Sequence, residues 1–490
     1  MTTQAHTQSI KSQPIWPLYN VAQTQAIERT AHANELPHTL MQRAGWACAR
    51  LALAITPHAR TIWIACGPGN NGGDGLEAAV HLKAWGKNPV VTWFGQSDTL
   101  PRDAQHAMAR AHAAGVTIQT DIPANFDLVI DALLGIGAQR PPESAIADWL
   151  LAMQNSDRPV LCIDVPTGLL ADTGEWQGPK LVNGQERHTL SLLTLKPGLF
   201  TASGRDAAGQ VWFNDLGITP NHMPSAWLQQ TRQSDKAPAH NSHKGSLGDV
   251  MVIGGAPGMT GAAVLASLGA LHGGAGRVFT GVLDETAGHS ISAAHPVLMV
   301  RPATELDMSH ATVVCGCGGG DAIRALLPRV LSSSQQLVLD ADALNAIARD
   351  AGLQTLLRQR HARNKPTVLT PHPLEAARLH NTSTPQIQQN RLDAAQQMAE
   401  EFQCVVVLKG SGSVIAGPGQ TPIINGSGNA RLATAGTGDV LAGWIGAYMA
   451  NGLSAWDASC QAIYLHGHSA DNWPSEGPAL DAARLATSIR

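Results

Sequence analysis

One stretch constrains the fold more than any other. A short apolar run, Thr61-Ile-Trp-Ile-Ala65, feeds straight into Cys66-Gly-Pro-Gly-Asn-Asn-Gly-Gly-Asp-Gly75, and a helical pattern follows from Leu76 to Trp85. Strand, glycine-rich turn and helix in immediate succession begin a βαβ unit. The turn then lies at the carboxyl edge of a parallel sheet, where α/β proteins bind ligands. The motif is not G-x-G-x-x-G, and it lacks the lysine of a P-loop. Asn70, Asn71 and Asp74 add side-chain oxygens to a nest of backbone N–H groups, a mixture that suits a phosphate-bearing ligand together with a cation.

The alternation extends on both sides. Helical spacing marks Tyr19–Ile27 and Leu40–Cys48 ahead of the motif. Strands are expected over Pro89–Phe94, Phe126–Asp131 and Pro159–Asp164, with helices over Pro101–Ala114 and Ala145–Gln154. Asp131 opens the loop to Gly137, and Asp164 opens Val-Pro-Thr-Gly168. Hard oxygens at three strand ends suit a cation or a ribose and speak against soft-metal chemistry. Taken singly, each acid could equally cap the next helix.

After Thr219–Asn241, a linker by its Pro, Gln and Ser content, the pattern starts afresh. Val250–Ile253 runs into Gly254–Gly261 and then a small-residue helix, Ala262–Leu271. Later strand ends carry Cys315-Gly-Cys-Gly318, Asp340 with Asp342, His372 between two prolines, and Lys409 with Gly410–Ser413. The series closes on Asn425–Gly443, where Gly436-Thr-Gly-Asp439 opens an apolar helix. A glycine turn at a helix start offers unpaired N–H groups to a phosphoryl group. On local sequence alone, Asp439 is as well suited to capping that helix as to taking a proton.

The 490 residues exceed the roughly 250–300 at which single cores stop growing, so two domains are expected, 1–225 and 226–490. Charged residues make up 14% and the net charge is −4, with no long basic run, so no nucleic-acid partner is expected. Met1–Pro14 is polar rather than signal-like, and no run of about 18 apolar residues suggests a membrane span. The seven cysteines form no zinc pattern and several sit in strand-like runs, as buried free thiols do. A cytoplasmic protein acting on small molecules is expected.

The first half resembles the NAD(P)H-hydrate epimerases, Rossmann-like proteins that interconvert the R and S hydrates of nicotinamide cofactors at ring carbon 6 with a bound potassium ion (K+). The resemblance covers about Leu18–Leu216 and rests on G-P-G-N-N-G-G-D-G. It implies that Asn70, Asn71, Gly72, Gly73 and Asp74, with Gly135, Ile136, Gly137, Ala138, Gln139, Arg140 and Pro141, line the hydrate site. It also implies that Asp164 contacts substrate and transfers a proton, and that Asn71, Asp131 and Thr167 ligate potassium. Thr167 stands where the family usually has serine, and Ile136 where it often has a small polar residue.

From about His243 onward the chain resembles the ADP-dependent NAD(P)H-hydrate dehydratases of the ribokinase-like superfamily. The residues that carry this are Leu-Asp-Ala-Asp-Ala-Leu-Asn345, Thr-Pro-His-Pro-Leu-Glu375 and Ala-Thr-Ala-Gly-Thr-Gly-Asp-Val-Leu-Ala-Gly443. The resemblance implies that Asp439 deprotonates the hydrate's hydroxyl and that Gly436–Gly438 hold the phosphoryl oxygens. Lys409, Gly410, Ser411, Gly412, Ser413 and Gly438 would contact ADP, with Mg2+ on its phosphates. Ala262, Gly318, His372 and Asp439 would contact the hydrate. Cys317 replaces the proline of the usual G-P-G, and Leu374 replaces a usual glycine. The fold class is thus α/β, with an N-terminal Rossmann-like and a C-terminal ribokinase-like three-layer sandwich, and a homo-oligomer is expected. Two other readings stay open: a vitamin kinase of the ribokinase-like class fused to a nucleotide-binding domain, and a first domain that only senses or scaffolds.

Overall fold

The computed structural model describes residues 6–95, 100–182, 184–231, 240–241 and 243–489, which form two compact units, Met1–Trp227 and Leu228–Arg490. Residues 1–5 of the polar N-terminus and 232–239 and 242 around the expected linker lie outside the described residues. Within that linker Ala226–Gln229 forms a strand, too short for its alternation to stand out in the sequence. No helix among the described residues is long and apolar enough to cross a membrane.

The first unit opens with helices α1 (Val21–Asn34) and α2 (Thr39–Ile55). The alternation then runs β1 (Thr61–Cys66), α3 (Asn70–Ala84), β2 (Asn88–Trp93), α4 (Arg102–Ala113), β3 (Thr117–Gln119), β4 (Leu128–Ala132), α5 (Ser144–Gln154) and β5 (Val160–Ile163). β6 (Arg187–Leu192) and β7 (Gln210–Asn214) complete it. The strands lie in the order β7-β6-β5-β4-β1-β2-β3, all parallel, with Gln8–Ser9 antiparallel on the β7 edge. The order of strands reverses between β1 and β4, and that switch point is where ligands enter such sheets. Residues of opposite parity feed two cores. Ile62, Ile64, Leu128 and Ile130 pack under α2, α3 and α4, while Trp63, Val129 and Cys162 pack under α5 with Trp149 and Met153.

α3 begins at Asn70, six residues ahead of the expected start at Leu76. The glycines there serve packing rather than a loop. A Cβ on Gly72 would stand 2.0 Å from the Gly67 carbonyl oxygen, one on Gly73 2.5 Å from the Met41 side chain, and one on Gly75 2.6 Å from Ala132. Glycine's low helix propensity hid this from the sequence. Asn70, Asn71 and Asp74 therefore project from the first turns of a helix.

In the second unit the elements are β8 (Asp249–Gly254), α6 (Thr260–His272), β9 (Arg277–Val282), β10 (Met299–Pro302), β11 (Thr312–Cys315) and α7 (Leu327–Ser333). Then follow β12 (Gln336–Leu339), α8 (Ala341–Ala348), α9 (Ala351–Ala362), β13 (Thr367–Leu369), α10 (Pro373–Leu379) and α11 (Arg391–Phe402). The last are β14 (Val405–Leu408), β15 (Val414–Ala416), β16 (Ile423–Asn425), α12 (Thr437–Ala450) and α13 (Ala455–Asp471). The order β10-β9-β8-β11-β12-β13-β14 is parallel, and β15 and β16 add antiparallel. Ile253, Val313, Leu337, Leu369 and Val406 bury one sheet face under α7, α8, α9 and α11. α6 and α12 pack against each other and cover the other face. Both units are thus helix–sheet–helix layers, as expected.

Gly75→Ala tests whether the early helix start depends on close packing. Forcing a methyl between α3 and β4 should cost about 1–3 kcal/mol, read as a lower melting midpoint for this unit in calorimetry of the full chain.

Candidate active site

In the first unit the C-terminal ends of β1, β4, β5 and β6 and one face of α1 enclose a cavity of about 440 Å³. Among the expected residues, Asn70, Asn71, Asp74, Gly135, Ile136, Gly137, Ala138 and Asp164 line it. Gly72 and Gly73 are buried in helix contacts, and Gln139, Arg140 and Pro141 are exposed outside the lining.

Two carboxylates here are fixed in different ways. Asp131 at the end of β4 is 2% exposed and accepts from the Thr167 amide (2.9 Å), the Thr167 hydroxyl (2.7 Å) and the Leu133 amide (3.2 Å). Burial still pushes its carboxyl above the usual range, opposed by those donors. The Thr167 oxygen also accepts from Leu134 N–H at 3.0 Å. The Asn71 side chain, on the first turn of α3, is buried, and its amide nitrogen has no partner among the described residues. Asp164 follows β5 with φ of +67°, a left-handed conformation in which Asp is enriched among non-glycine residues. Its carboxylate accepts from Leu192 N–H at 3.2 Å and is ion-paired with Lys196. The Lys196 ammonium is fully buried and also donates to the Leu192 and Thr194 carbonyls at 2.7 and 2.9 Å. The sequence reading missed Lys196. The signal was present: a lysine in Thr-Leu-Lys-Pro197 just after an apolar strand that was not read.

In the second unit α12 starts at Gly436, whose φ is +90°. A Cβ there would meet Leu265 at 2.6 Å, so turn and packing both require glycine. Thr437 donates its hydroxyl to the Leu432 and Thr434 carbonyls, at 2.9 and 3.0 Å. The buried His466 ring donates to the Thr437 carbonyl at 2.9 Å. Burial lowers that histidine to a pKa of about 4. The turn is thereby pinned with no side-chain cap, and the capping role for Asp439 falls away.

Asp340 precedes α8 in the cap position and makes no cap bond. Its buried carboxylate instead accepts from Lys409 Nζ at 2.6 Å and from the Thr370 hydroxyl at 2.8 Å. Lys409 Nζ lies beside Gly438, 3.2 Å from where a Cβ would stand. Ligand atoms of Cys317, Asp340 and Asp439 lie within 4.8 Å of one another. Asp439 is left without a salt partner of its own. Burial first, and the Asp340 charge second, push it up to about 7.

The remaining expected residues gather nearby. A Cβ on Gly318 would stand 2.9 Å from Ala262. His372 caps α10 and receives a reciprocal bond, its own N–H donating to Glu375 at 2.8 Å. Burial, then Lys409, lowers His372, and burial raises Glu375 to about 7. Gly410 N–H donates to Ser413 Oγ at 3.2 Å, which closes the Lys409–Ser413 loop holding Ser411 and Gly412. Arg391, buried on α11, braces this loop from behind, donating to the Leu408 and Lys409 carbonyls at 3.1 and 3.2 Å. Nothing in the sequence near Arg391 signals that long-range role.

The environment of Asp439 has a consequence for stability. A carboxyl raised by the fold favours the native state while protonated, and that contribution is lost as pH rises from its ordinary 3.8 through about 7. Asp439→Asn is therefore expected to melt about 2–8 °C above wild type at about pH 8. At about pH 4 the two should melt together, as thermal unfolding at both pH values will read.

The sequence pattern of the family described as NAD(P)H-hydrate dehydratase matches residues 250–490, and that described as YjeF-related protein N-terminus matches 37–198. The Escherichia coli bifunctional NAD(P)H-hydrate repair enzyme Nnr is 36% identical over 458 residues, covering 89% of this chain and 85% of that protein. Its Coxiella burnetii counterpart is 33% identical, covering 96% and 97%. The ADP-dependent (S)-NAD(P)H-hydrate dehydratase of Neisseria meningitidis is 41% identical over 260 residues, covering 52% of this chain and 86% of that protein. Similarity at this level along nearly the whole length, in both units, places the chain in the family of bifunctional NAD(P)H-hydrate repair enzymes.

Proposed function

We propose that the first unit epimerises the R and S hydrates of NADH and NADPH, and that the second dehydrates the S hydrate to NAD(P)H at the expense of ADP, giving AMP and phosphate. The observation that carries this is the state of Asp439. It is a half-buried carboxyl beside a helix start, free of capping duty and poised near neutrality. A group so poised can take a proton at working pH. The vitamin-kinase reading is not favoured, because the relatives covering both units are named as repair enzymes.

In the dehydration, Asp439 accepts the proton of the hydrate's hydroxyl as that oxygen attacks the terminal phosphoryl of ADP. Amides of Gly436–Gly438 stabilise the charge that builds on the phosphoryl oxygens. Lys409, anchored by Asp340, sits beside the same turn, and the Lys409–Ser413 loop contacts the nucleotide. Phosphate is a far better leaving group than hydroxide. Its departure, with loss of a proton from the neighbouring ring carbon, restores the dihydropyridine double bond. Ala262, Gly318 and His372 hold the hydrate. Magnesium supplies charge neutralisation on the nucleotide phosphates. Since Lys409 and Thr370 already engage Asp340, the ion would ride on the nucleotide rather than in a protein cage.

In the first unit Asp164 transfers the proton that accompanies inversion. Asn71, Asp131 and Thr167 together offer an amide, a carboxylate and a hydroxyl oxygen, a hard set suited to potassium. The buried Asp131 carboxylate and the Thr167 hydroxyl bonded to it already place two hard oxygens together, and the Asn71 side-chain oxygen would complete the set. Potassium would hold the Asn71 and Thr167 loops in register around the hydrate.

Asp439→Ala should lower dehydration of the S hydrate at least ~10²-fold and leave epimerisation intact. Wild-type dehydration should fall as pH drops below about 7, as Asp439 takes up its proton. An unchanged rate in the variant would remove Asp439 as the base. Asp131→Asn should raise the potassium needed for half-maximal epimerisation about tenfold or more, the scale on which metal-site partners act. Titrating potassium in an epimer-exchange assay measures it.

A further inference from the structure

Residues 24, 25, 28 and 32 of α1 form one wall of the first unit's cavity. Their spacing of one, four and eight from Thr24 puts them on a single helix face. None of the site residues named above lies on that wall. Thr24 is committed to structure, its hydroxyl 2.8 Å from that of Thr194. Glu28 is not. Its carboxylate makes a 3.7 Å ion-pair contact with the His32 ring, both side chains 39% exposed, and lines the same cavity as Asp164.

Inversion of the hydrate poses a definite chemical demand. The hydroxyl-bearing carbon adjoins the ring nitrogen. Its C–O bond can break as the nitrogen lone pair forms a C=N bond, provided the departing oxygen receives a proton and leaves as water. Water then adds to the opposite face, the electron pair returns to nitrogen, and the excess proton goes to a base. One donor and one acceptor are needed, on different sides of the ring. Asp164 is fixed in position by its ion pair with Lys196 and its bond from the Leu192 amide, and it takes the acceptor's part. No proton donor has yet been named.

We propose that Glu28 is the second catalytic residue of the epimerase site, the acid that protonates the departing hydroxyl from the α1 wall while Asp164 accepts from the opposite face. This rests on the epimerase reading of the cavity. Two carboxyls facing one cavity from different elements are a recurring acid–base arrangement. Burial raises Glu28, the His32 ring opposes that, and the Asp164 charge adds to the rise while Lys196 opposes it. Asp74, from α3, also feels the Glu28 charge. The roles exchange in the reverse direction, so a single pair serves both epimers.

The test uses the full chain with ADP, magnesium and potassium, following consumption of purified R hydrate, with Asp164→Asn as the reference variant. Glu28→Gln keeps the side chain's shape and removes its proton. It should slow R-hydrate consumption about 10²-fold or more, through kcat rather than KM, and leave S-hydrate dehydration unchanged. Wild-type epimerisation should fall at high pH as the acid loses its proton, and Glu28→Gln should lack that fall. Loss in Asp164→Asn with near-wild-type rates in Glu28→Gln overturns the role of Glu28. Wild-type rates in both variants overturn the epimerase reading of the cavity itself. Should Glu28→Gln melt early, the wild-type profile decides: an epimerisation rate flat from about pH 6 to about pH 9 excludes a titrating acid.

Discussion

The second unit's site depends on one interaction, the buried ion pair between Asp340 and Lys409. Removing charges from water is costly, and such a pair is tolerated where extra hydrogen bonds complete it, as the Thr370 hydroxyl does here. The pair has two effects at once. It holds an ammonium beside the Gly436–Gly438 turn, and it occupies the cation that would otherwise neutralise Asp439. Asp439 is governed first by desolvation and then by the Asp340 charge, and both move it towards neutrality against the weaker pull of the Cys317 thiol and Lys409. A phosphoryl cradle and a proton acceptor thus arise from a single arrangement.

The first unit repeats this logic on a different sheet. Asp164 is tied to a buried lysine, Lys196, while a second carboxyl, Glu28 on α1, pairs with the exposed His32 at 3.7 Å. In each unit a lysine commits one acid and leaves a second carboxyl facing the site. The surrounding scaffolds differ, yet both place the chemistry at carboxyl ends of parallel strands, beside a helix whose first turn is rich in glycine.

Much of this was legible in the sequence. The strand–glycine–helix starts at Thr61 and Val250, the strand-end acids at 131, 164 and 340, and the Gly436–Asp439 element all lie where their local patterns put them. What the sequence withheld has physical causes. Helix α3 begins early because its glycines admit close packing, which propensity reads as loop. The choice between cap and base for Asp439 could not be made locally, because it turns on Asp340 and its partner Lys409, 69 residues from Asp340 in the chain. Lys196 and Arg391 owe their importance to buried carbonyls and carboxylates contributed by distant segments, and Glu28 to a cavity that exists only once α1 meets the strand ends. Residues Gln139–Pro141, included through resemblance to a loop motif, turn outward from that cavity.

A dehydratase that accepts one epimer strands the other, and an epimerase on the same chain removes that dead end. The most direct test of this account offers the purified full-length protein a mixture of R and S hydrates with ADP, magnesium and potassium, and follows the near-ultraviolet absorbance of the dihydronicotinamide together with the adenine nucleotides. The account predicts complete recovery of absorbance from both epimers, with one AMP and one free phosphate formed per NAD(P)H regained. Recovery that halts once the S hydrate is spent, or a phosphorylated product that accumulates without any return of absorbance, would contradict it.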